Sequence, residues 1–364
     1  MNLKNKKNKK IVFFIPSIES GGVEKNLFIL LNFFRKFYSE IYLVTSSKIR
    51  LSKDIKVVCF NSKILKKRNR FLKSLFCSFL LFKNFKKNDV IVISFQSNTF
   101  SLLLSKVMLW PIIIRLNTSP EKYINNILKT VIYKIFYNMA NEVIVNSFEF
   151  KNNLKKILGI NSSVILNPLV QKKIINKKKN SNKYKGLKIL NIGRLTDQKD
   201  QITLLKSIKL LLFKHKIDCK LFIIGKGINY NKLQKYISDN KLNKNIFLLG
   251  YKKNAYQYLK QYDLFILSSK YEGLPNVLIE AQMALTPIIS SNCPSGPKEI
   301  LLNGKLGILF KTGDHKDLSK KILIFKNNRK KFKNKALLAT KYLSRFDYET
   351  NLHKYLKIIN KYKK

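Results

Sequence analysis

Asp263-Leu264-Phe265-Ile266-Leu267-Ser268-Ser269 leads through Lys270 into Tyr271-Glu272-Gly273-Leu274-Pro275-Asn276-Val277-Leu278-Ile279-Glu280-Ala281. The first run is short and apolar, the pattern of a buried strand. Pro275 suits the first helical position, where its missing N–H costs nothing. The spacing therefore puts Glu272 in a strand-to-helix loop and Glu280 in the early turns of the helix. Near Asn276 and Val277 the first N–H groups of that helix have no intrahelical acceptor and would face an anion. Two carboxylates around a phosphate-ready helix N-terminus suit a nucleotide sugar. A capped core helix with two surface glutamates is the other reading of the same residues.

Outward from this element, short apolar runs alternate with helical patterns, which predicts an α/β chain. In the first half the expected strands are Ile11–Ile15, Ile41–Val44, Val57–Phe60, Val90–Ser94, Ile112–Arg115, Glu142–Val145 and Val164–Leu166. Helices are expected at 23–38, 64–83, 99–109, 121–139 and 148–157. The Lys/Asn/Ser-rich stretch 171–185 has little periodicity and reads as a linker. A second alternation begins at Leu187. The expected organisation is two Rossmann-like domains facing a central cleft, over residues 1–170 and 186–345. Residues 346–364 are expected to form a helix that packs back on the first domain.

Further candidates sit at predicted strand ends. Leu187-Lys188-Ile189-Leu190-Asn191-Ile192-Gly193-Arg194-Leu195-Thr196-Asp197-Gln198-Lys199 brings Gly193, Arg194 and Lys199 to the carboxyl edge of a sheet, where α/β folds bind ligands. Arginine forks onto phosphate oxygens and lysine acts as a mobile point charge; a charged loop without a ligand is the plainer reading. Gly21 and Gly22, between the first strand and an apolar helix, allow either close backbone approach or only a tight turn. Phe247-Leu248-Leu249-Gly250-Tyr251 ends another strand with an aromatic that suits a nucleobase or simply the core. Ile223-Ile224-Gly225-Lys226-Gly227 lacks the third glycine of a dinucleotide fingerprint.

These segments together resemble family 4 glycosyltransferases, retaining enzymes of the GT-B type. Glu272 to Glu280 is similar to their E-x7-E signature, Gly193 to Lys199 to their G-R-L-x-x-x-K segment, and Gly21 to Glu24 to their G-G-x-E start. The resemblance implies that Arg194 and Lys199 hold the donor diphosphate and that Glu280 accepts from the ribose hydroxyls. It implies that Glu272 lies near the transferred sugar, so Glu272, Arg194 and Lys199 carry the catalytic roles. Gly193, Gly250, Tyr251, Gly273, Leu274, Asn276 and Val277 complete the donor site by the same likeness. Asn292-Cys293-Pro294-Ser295-Gly296-Pro297-Lys298-Glu299-Ile300 looks like a segment of bacterial members that move N-acetylhexosamines onto lipid-linked acceptors. One departure stands out. Many members carry a first-domain histidine, whereas His215, His315 and His353 all follow the linker. Arg115 and Asn117 occupy the corresponding stretch and are the candidates to face sugar or acceptor. No D-x-D triplet is present, which argues against a metal-clamped diphosphate; no metal and no cofactor are expected.

With 72 basic and 20 acidic residues the formal charge is +52, spread along the chain. That points to anionic membranes rather than to a specific nucleic acid, since nucleic-acid motifs are missing. Cys59, Cys77, Cys219 and Cys293 form no C-x-x-C pair, which fits a reduced compartment. No apolar run is long enough to span a bilayer. Phe71, Leu72, Leu75, Phe76, Phe79 and Phe82 recur at helical spacing beside Lys66, Lys67, Arg68 and Arg70. Such a helix lies either in the headgroup plane or packed on the sheet. The expected function is transfer of a sugar from a UDP-linked or similar donor to a lipid-linked glycan or lipopolysaccharide, peripherally on the cytoplasmic membrane face. A sugar-nucleotide epimerase or a basic nucleic-acid-binding protein are the alternatives.

Overall fold

The computed structural model describes residues 9–18, 21–60, 69–118, 120–122, 124, 126–169 and 184–363. It divides into two compact units, one of residues 1–170 with 346–364 and the other of residues 171–345.

The first unit is built on seven parallel strands: β1 (Lys10–Phe14), β2 (Ile41–Val44), β3 (Ile55–Val58), β4 (Val90–Ser94), β5 (Ile112–Arg115), β6 (Glu142–Val145) and β7 (Ser163–Val164). Their order is β3-β2-β1-β4-β5-β6-β7, so the winding reverses between β1 and β4. Because side chains alternate along a strand, β1 feeds two cores. Ile11 and Phe13 pack with Leu27 and Leu30 of α1 (Gly22–Phe34) and with Leu352 and Tyr355 of the C-terminal helix Tyr348–Asn360. Val12 and Phe14 face the other way. There they meet α2 (Arg70–Asn84), α3 (Asn98–Val107), α4 (Ile127–Asn138) and α5 (Phe148–Leu158) through residues such as Leu81, Leu102, Tyr137 and Phe150.

The C-terminal helix is fastened to this unit at its end as well as by its apolar face. Tyr38 Oη donates to Asn360 Oδ1 at 3.1 Å, and Tyr362 Oη to the Asn141 carbonyl at 3.1 Å. The chain re-enters where the Leu169 N–H meets the Phe346 carbonyl at 2.7 Å.

Several boundaries differ from the sequence-based expectation for local reasons. The helix α2 begins at Arg70 because the Asn69 side chain accepts from the Leu72 N–H at 3.0 Å. Lys66, Lys67 and Arg68 lie outside the described residues, as does Gln171 to Lys183 of the expected linker. The single helix expected over 121–139 is a short 3₁₀ turn at Pro120–Lys122 and then α4, which Asn126 caps through the Lys129 N–H at 2.8 Å. Strand β3 sits two residues early because Ile41 pairs with Ile55, not Val57.

The second unit has six parallel strands: β8 (Leu187–Ile192), β9 (Cys219–Ile224), β10 (Ile246–Leu248), β11 (Leu264–Leu267), β12 (Ile288–Ser291) and β13 (Ile308–Phe310). The order β10-β9-β8-β11-β12-β13 places the reversal between β8 and β11. Helices α6 (Gln201–Phe213), α7 (Tyr230–Asp239), α8 (Asn276–Met283), α9 (Pro297–Ile300), α10 (His315–Asn327) and α11 (Arg329–Thr340) cover it. Leu204, Leu205 and Ile208 share a core with Leu318, Ile322 and Phe325, which joins α6 to α10 beneath the sheet.

Leu352 is fully buried in the first unit's core although it lies beyond the second unit in sequence. Leu352→Ala should destabilise the first unit by about 2–5 kcal/mol, the cost of a buried leucine and its cavity. Urea unfolding of the full chain reads this as an earlier transition for one unit, with the other unmoved.

Candidate active site

Strands β8 and β11 pair only over Ile189↔Leu264 and Leu190↔Phe265. Beyond that the ladder stops, and the buried Asn191 side chain spans the gap by donating to the Ile266 carbonyl at 2.8 Å. This divergence at a winding reversal is where doubly wound sheets open a ligand crevice. The loops that leave the two strands are 193–200 and 268–275, and they carry most of the candidate residues.

Four contacts tie these loops together. Lys199 Nζ meets Glu272 Oε1 at 2.5 Å, with the two side chains 16% and 7% exposed. Ser268 Oγ donates to the Lys199 carbonyl at 2.8 Å, and the Lys270 N–H to the Gln198 carbonyl at 2.8 Å. Gln198 Nε2 returns to the Tyr271 carbonyl at 3.1 Å. The aliphatic stem of Lys199 crosses the α-carbon of Gly193, within 3.5 Å of where a Cβ would stand. Arg194 is exposed beside this pair, its Nη2 3.5 Å from Gln198 Oε1, and Gln201 Nε2 holds its carbonyl at 2.9 Å.

The end of β12 supports the carboxylate through Ser269. Ser269 Oγ donates to Glu272 Oε1 at 2.5 Å, and Ser291 Oγ holds the Ser269 carbonyl at 2.6 Å. Cys293 is buried next to these groups. Desolvation, and then the negative charge of Glu272, push its thiol up to about 12, so it stays protonated near neutrality. Gly296, at φ +83°, is pressed against Gly273: a Cβ there would stand 1.9 Å from the Gly273 carbonyl oxygen and 2.8 Å from Pro275 Cδ.

Pro275 precedes the helix instead of opening it; with φ −71° and ψ 105° it is the extended residue before Asn276. The difference is one position, and the first N–H groups of α8 still begin at Asn276 and Val277. Leu274 is buried under this turn, and Glu280 is half-buried in the second turn of the helix. Gly250, at φ +68°, accepts from the Gly225 N–H at 2.9 Å and leaves Tyr251 exposed, with Lys226 Nζ 5.2 Å from its ring centroid. An open cavity of about 530 Å³ lies further along the same sheet edge, over β12 and β13. It includes Pro294 and Lys311 but neither Arg194 nor Glu272.

The first-unit candidates fare differently. The Gly21 N–H donates to Glu24 Oε2 at 3.1 Å, so it caps its own helix; Gly22 is exposed. Arg115 is fully buried and not presented to a ligand. Its Nη1 and Nη2 donate to Asn117 Oδ1 and Asn167 Oδ1, both at 2.6 Å, and the guanidinium lies 5.4 Å from the Phe95 ring centroid. Burial holds the adjacent Tyr355 hydroxyl above the usual tyrosine range, against the opposing pull of the Arg115 charge. None of the three histidines is buried.

Sequence reasoning missed Asn191, Gln198, Ser269, Ser291 and Lys226, the residues that position the recognised ones. A lone asparagine inside an apolar strand was the available signal for Asn191. It also missed a polar cluster at the first unit's own winding reversal. There Ser94 Oγ donates to Asn98 Oδ1 at 2.8 Å, Ser101 Oγ to Ser94 Oγ at 2.9 Å and Ser74 Oγ to Ser97 Oγ at 2.6 Å.

Residues 172–339 match the family model of glycosyl transferases group 1. This stretch is a glycosyltransferase domain. The chain is 35% identical over 250 residues to an uncharacterized glycosyltransferase, MJ1059, of Methanocaldococcus jannaschii, covering 60% of each. It is 26% identical over 241 residues, 64% of each, to a Campylobacter jejuni enzyme. That relative is N-acetylgalactosamine-N,N'-diacetylbacillosaminyl-diphospho-undecaprenol 4-alpha-N-acetylgalactosaminyltransferase. The chain thus spans under two thirds of the length of these curated relatives. In three dimensions it is similar to Anabaena Alr3699/HepE in complex with UDP. The TM-score is 0.75 at 16% identity, over 97% of this chain and all of that one. The likeness shows the fold, which is of the GT-B type with two parallel-sheet Rossmann-like domains.

The contact of Gly296 with Gly273 yields a test of how the E-G-L-P loop is held. Gly296→Ala forces an alanine into a left-handed conformation and against a carbonyl oxygen, at about 1–3 kcal/mol or more. A lowered urea midpoint for the second unit is expected. An unchanged midpoint would show that the two loops are not packed in this way.

Proposed function

We propose that the chain is a retaining, metal-independent transferase that moves a sugar from a UDP-linked donor to a lipid-linked glycan or lipopolysaccharide. The observation that carries this reading is the lacing of loop 193–200 to loop 268–275 at the β8/β11 reversal, with Arg194 outward and Glu272 inward. A diphosphate is a double anion, and Arg194, Lys199 and the first N–H groups of α8 offer it a fork, a point charge and a helix N-terminus. Glu280 serves the ribose hydroxyls, and Tyr251 with Gly250 the base. The structural likeness to a protein bound to UDP supports the choice of nucleotide. The resemblance of residues 292–300, together with the Campylobacter jejuni relative, supports an N-acetylhexosamine as the sugar and a lipid diphosphate as the acceptor class.

In the reaction the bond from the anomeric carbon to the β-phosphate oxygen breaks. The acceptor oxygen bonds to the same face of that carbon, and its proton passes to the departing phosphate. No covalent intermediate on the protein is required. Lys199 neutralises Glu272 before the donor binds. A diphosphate that takes a share of the ammonium leaves Glu272 with more of its negative charge. Binding the leaving group thereby strengthens the field that stabilises positive charge at the anomeric carbon. The basic chain, together with the proposed lipid acceptor, supports a peripheral position on the cytoplasmic membrane face, with acceptor recognition assigned to the first unit.

Arg194→Ala and Glu280→Gln should each weaken UDP binding by about 2–4 kcal/mol, or roughly 30- to 1000-fold in Kd. Calorimetry reads this directly, and wild-type affinity in both variants would remove the assignment.

A divalent metal should not be needed, because fixed cations already offset the leaving-group charge. Turnover is therefore expected to persist in EDTA. Activity abolished by EDTA and restored by magnesium would contradict this part of the proposal.

A further inference from the structure

Helices α2, α3 and α4 pack side by side on one face of the first sheet, and their polarity is inverted. The side of α3 that is buried carries Ser101, Leu102 and Ser105, while Leu103 and Val107 are turned to solvent. In α4 only Tyr137 is buried, and Ile127, Leu128, Val131 and Ile135 are exposed, Ile127 by 84%. In α2 the buried residues are Ser74, Cys77, Leu80 and Leu81, whereas Phe71, Phe79 and Phe82 each stand more than half exposed. Phe71 and Phe100, with ring centroids 5.3 Å apart, join α2 to α3. An apolar surface running across three adjacent helices exceeds the scattered exposure usual in a soluble protein.

The charge on this face has one sign. The three helices contain no carboxylate, but they carry Arg70, Lys73, Lys83, Lys106, Lys129 and Lys134. A second copy of the chain would bring the same lysines against these and be repelled. Among the described residues no helix is long and apolar enough to cross a membrane, so the face would lie on a bilayer without spanning it. We propose that the outer face of α2, α3 and α4 is the surface by which the chain docks on an anionic lipid bilayer. The phenylalanines and isoleucines enter the acyl boundary and the lysines rest on headgroup phosphates. This rests on the peripheral location proposed above and assigns it to particular residues, two of the three helices being outside the segment that the sequence pointed to.

Flotation of the full chain with phosphatidylglycerol-containing vesicles tests it, with pure phosphatidylcholine vesicles and added salt as the comparison arms. One variant combines Phe79→Ser, Phe82→Ser and Ile135→Ser; another combines Lys83→Gln, Lys106→Gln and Lys134→Gln. UDP-induced thermal stabilisation checks that each remains folded. The wild type should float with anionic vesicles and be released by salt. The apolar variant should lose about tenfold or more in vesicle affinity, and the lysine variant should lose its preference for anionic lipid. Because the lysine variant alters only side chains on the surface, it keeps the test decisive if the apolar variant does not fold. Wild type that does not float overturns both the face and the peripheral location. Wild type and both variants floating equally overturns the face alone. A dimer that the apolar variant dissociates, without flotation, would assign the face to a second copy and overturn the lipid.

Discussion

An ammonium and a carboxylate 2.5 Å apart, both nearly closed off from water, hold the second unit's working edge together. Removing two charges from water costs several kcal/mol per ion, and their attraction at close range returns a similar amount. The Lys199–Glu272 pair therefore adds little to net stability. Its effect is positional. Lys199 comes from the loop after β8 and Glu272 from the loop after β11, so neither loop can move without exposing an unpaired charge in a dry setting. Ser269, donating to the same carboxylate oxygen, fixes the side chain that the lysine would otherwise drag. Ser291 and Gly296 then carry the constraint to the next loop, which is why three separate segments share one arrangement.

The pair stands where it does because of winding. In both sheets the first strand of the unit has later strands on either side, and the loops after it and after its newer neighbour leave in opposite directions. A gap at the carboxyl ends follows from that topology, whatever the sequence. What the sequence decides is the filling. The second unit fills the gap with opposite charges and an amide, Asn191, that replaces the missing ladder bond. The first unit fills its own with hydroxyls and amides: Ser94, Ser97, Asn98 and Ser101. Neutral polar groups of that kind suit hydroxyl-rich ligands better than phosphates.

Strand and helix existence was legible because strands buried on both faces read as continuous apolar runs, as in Ile11–Phe14 and Leu264–Leu267. The E-G-L-P loop was legible for a different reason: glycine, proline and glutamate are scarce in this lysine-rich chain, so their clustering carries information. Arg115 shows where such scarcity misleads. Arginine is scarce here too, and Arg115 is a sequence candidate to face sugar or acceptor, yet it is buried in the core, where Asn117 and Asn167 accept from its two terminal nitrogens. Rarity marks a residue whose chemistry is needed, without saying which group needs it. The pairing of Lys199 with Glu272 was also beyond reach, since 73 residues separate them and only the strand order brings them together.

The helices of the first unit carry this limit furthest. Periodicity in α2 identifies an apolar stripe, and the ordinary inference is that the stripe faces the sheet. The structure turns that stripe outward: Phe71, Leu75, Phe76, Phe79 and Phe82 are exposed, while Ser74, Cys77, Leu80 and Leu81 go inward. A period of 3.6 residues fixes which residues share a face but not which face is buried when more than half the circumference is apolar. The choice falls to volume. Close approach of α3 to the sheet favours Ser101 and Ser105 on the inner side, where bulkier residues would hold the helix away. The large apolar side chains stand on the surface, where a non-aqueous neighbour such as the proposed bilayer gives the arrangement a favourable free energy.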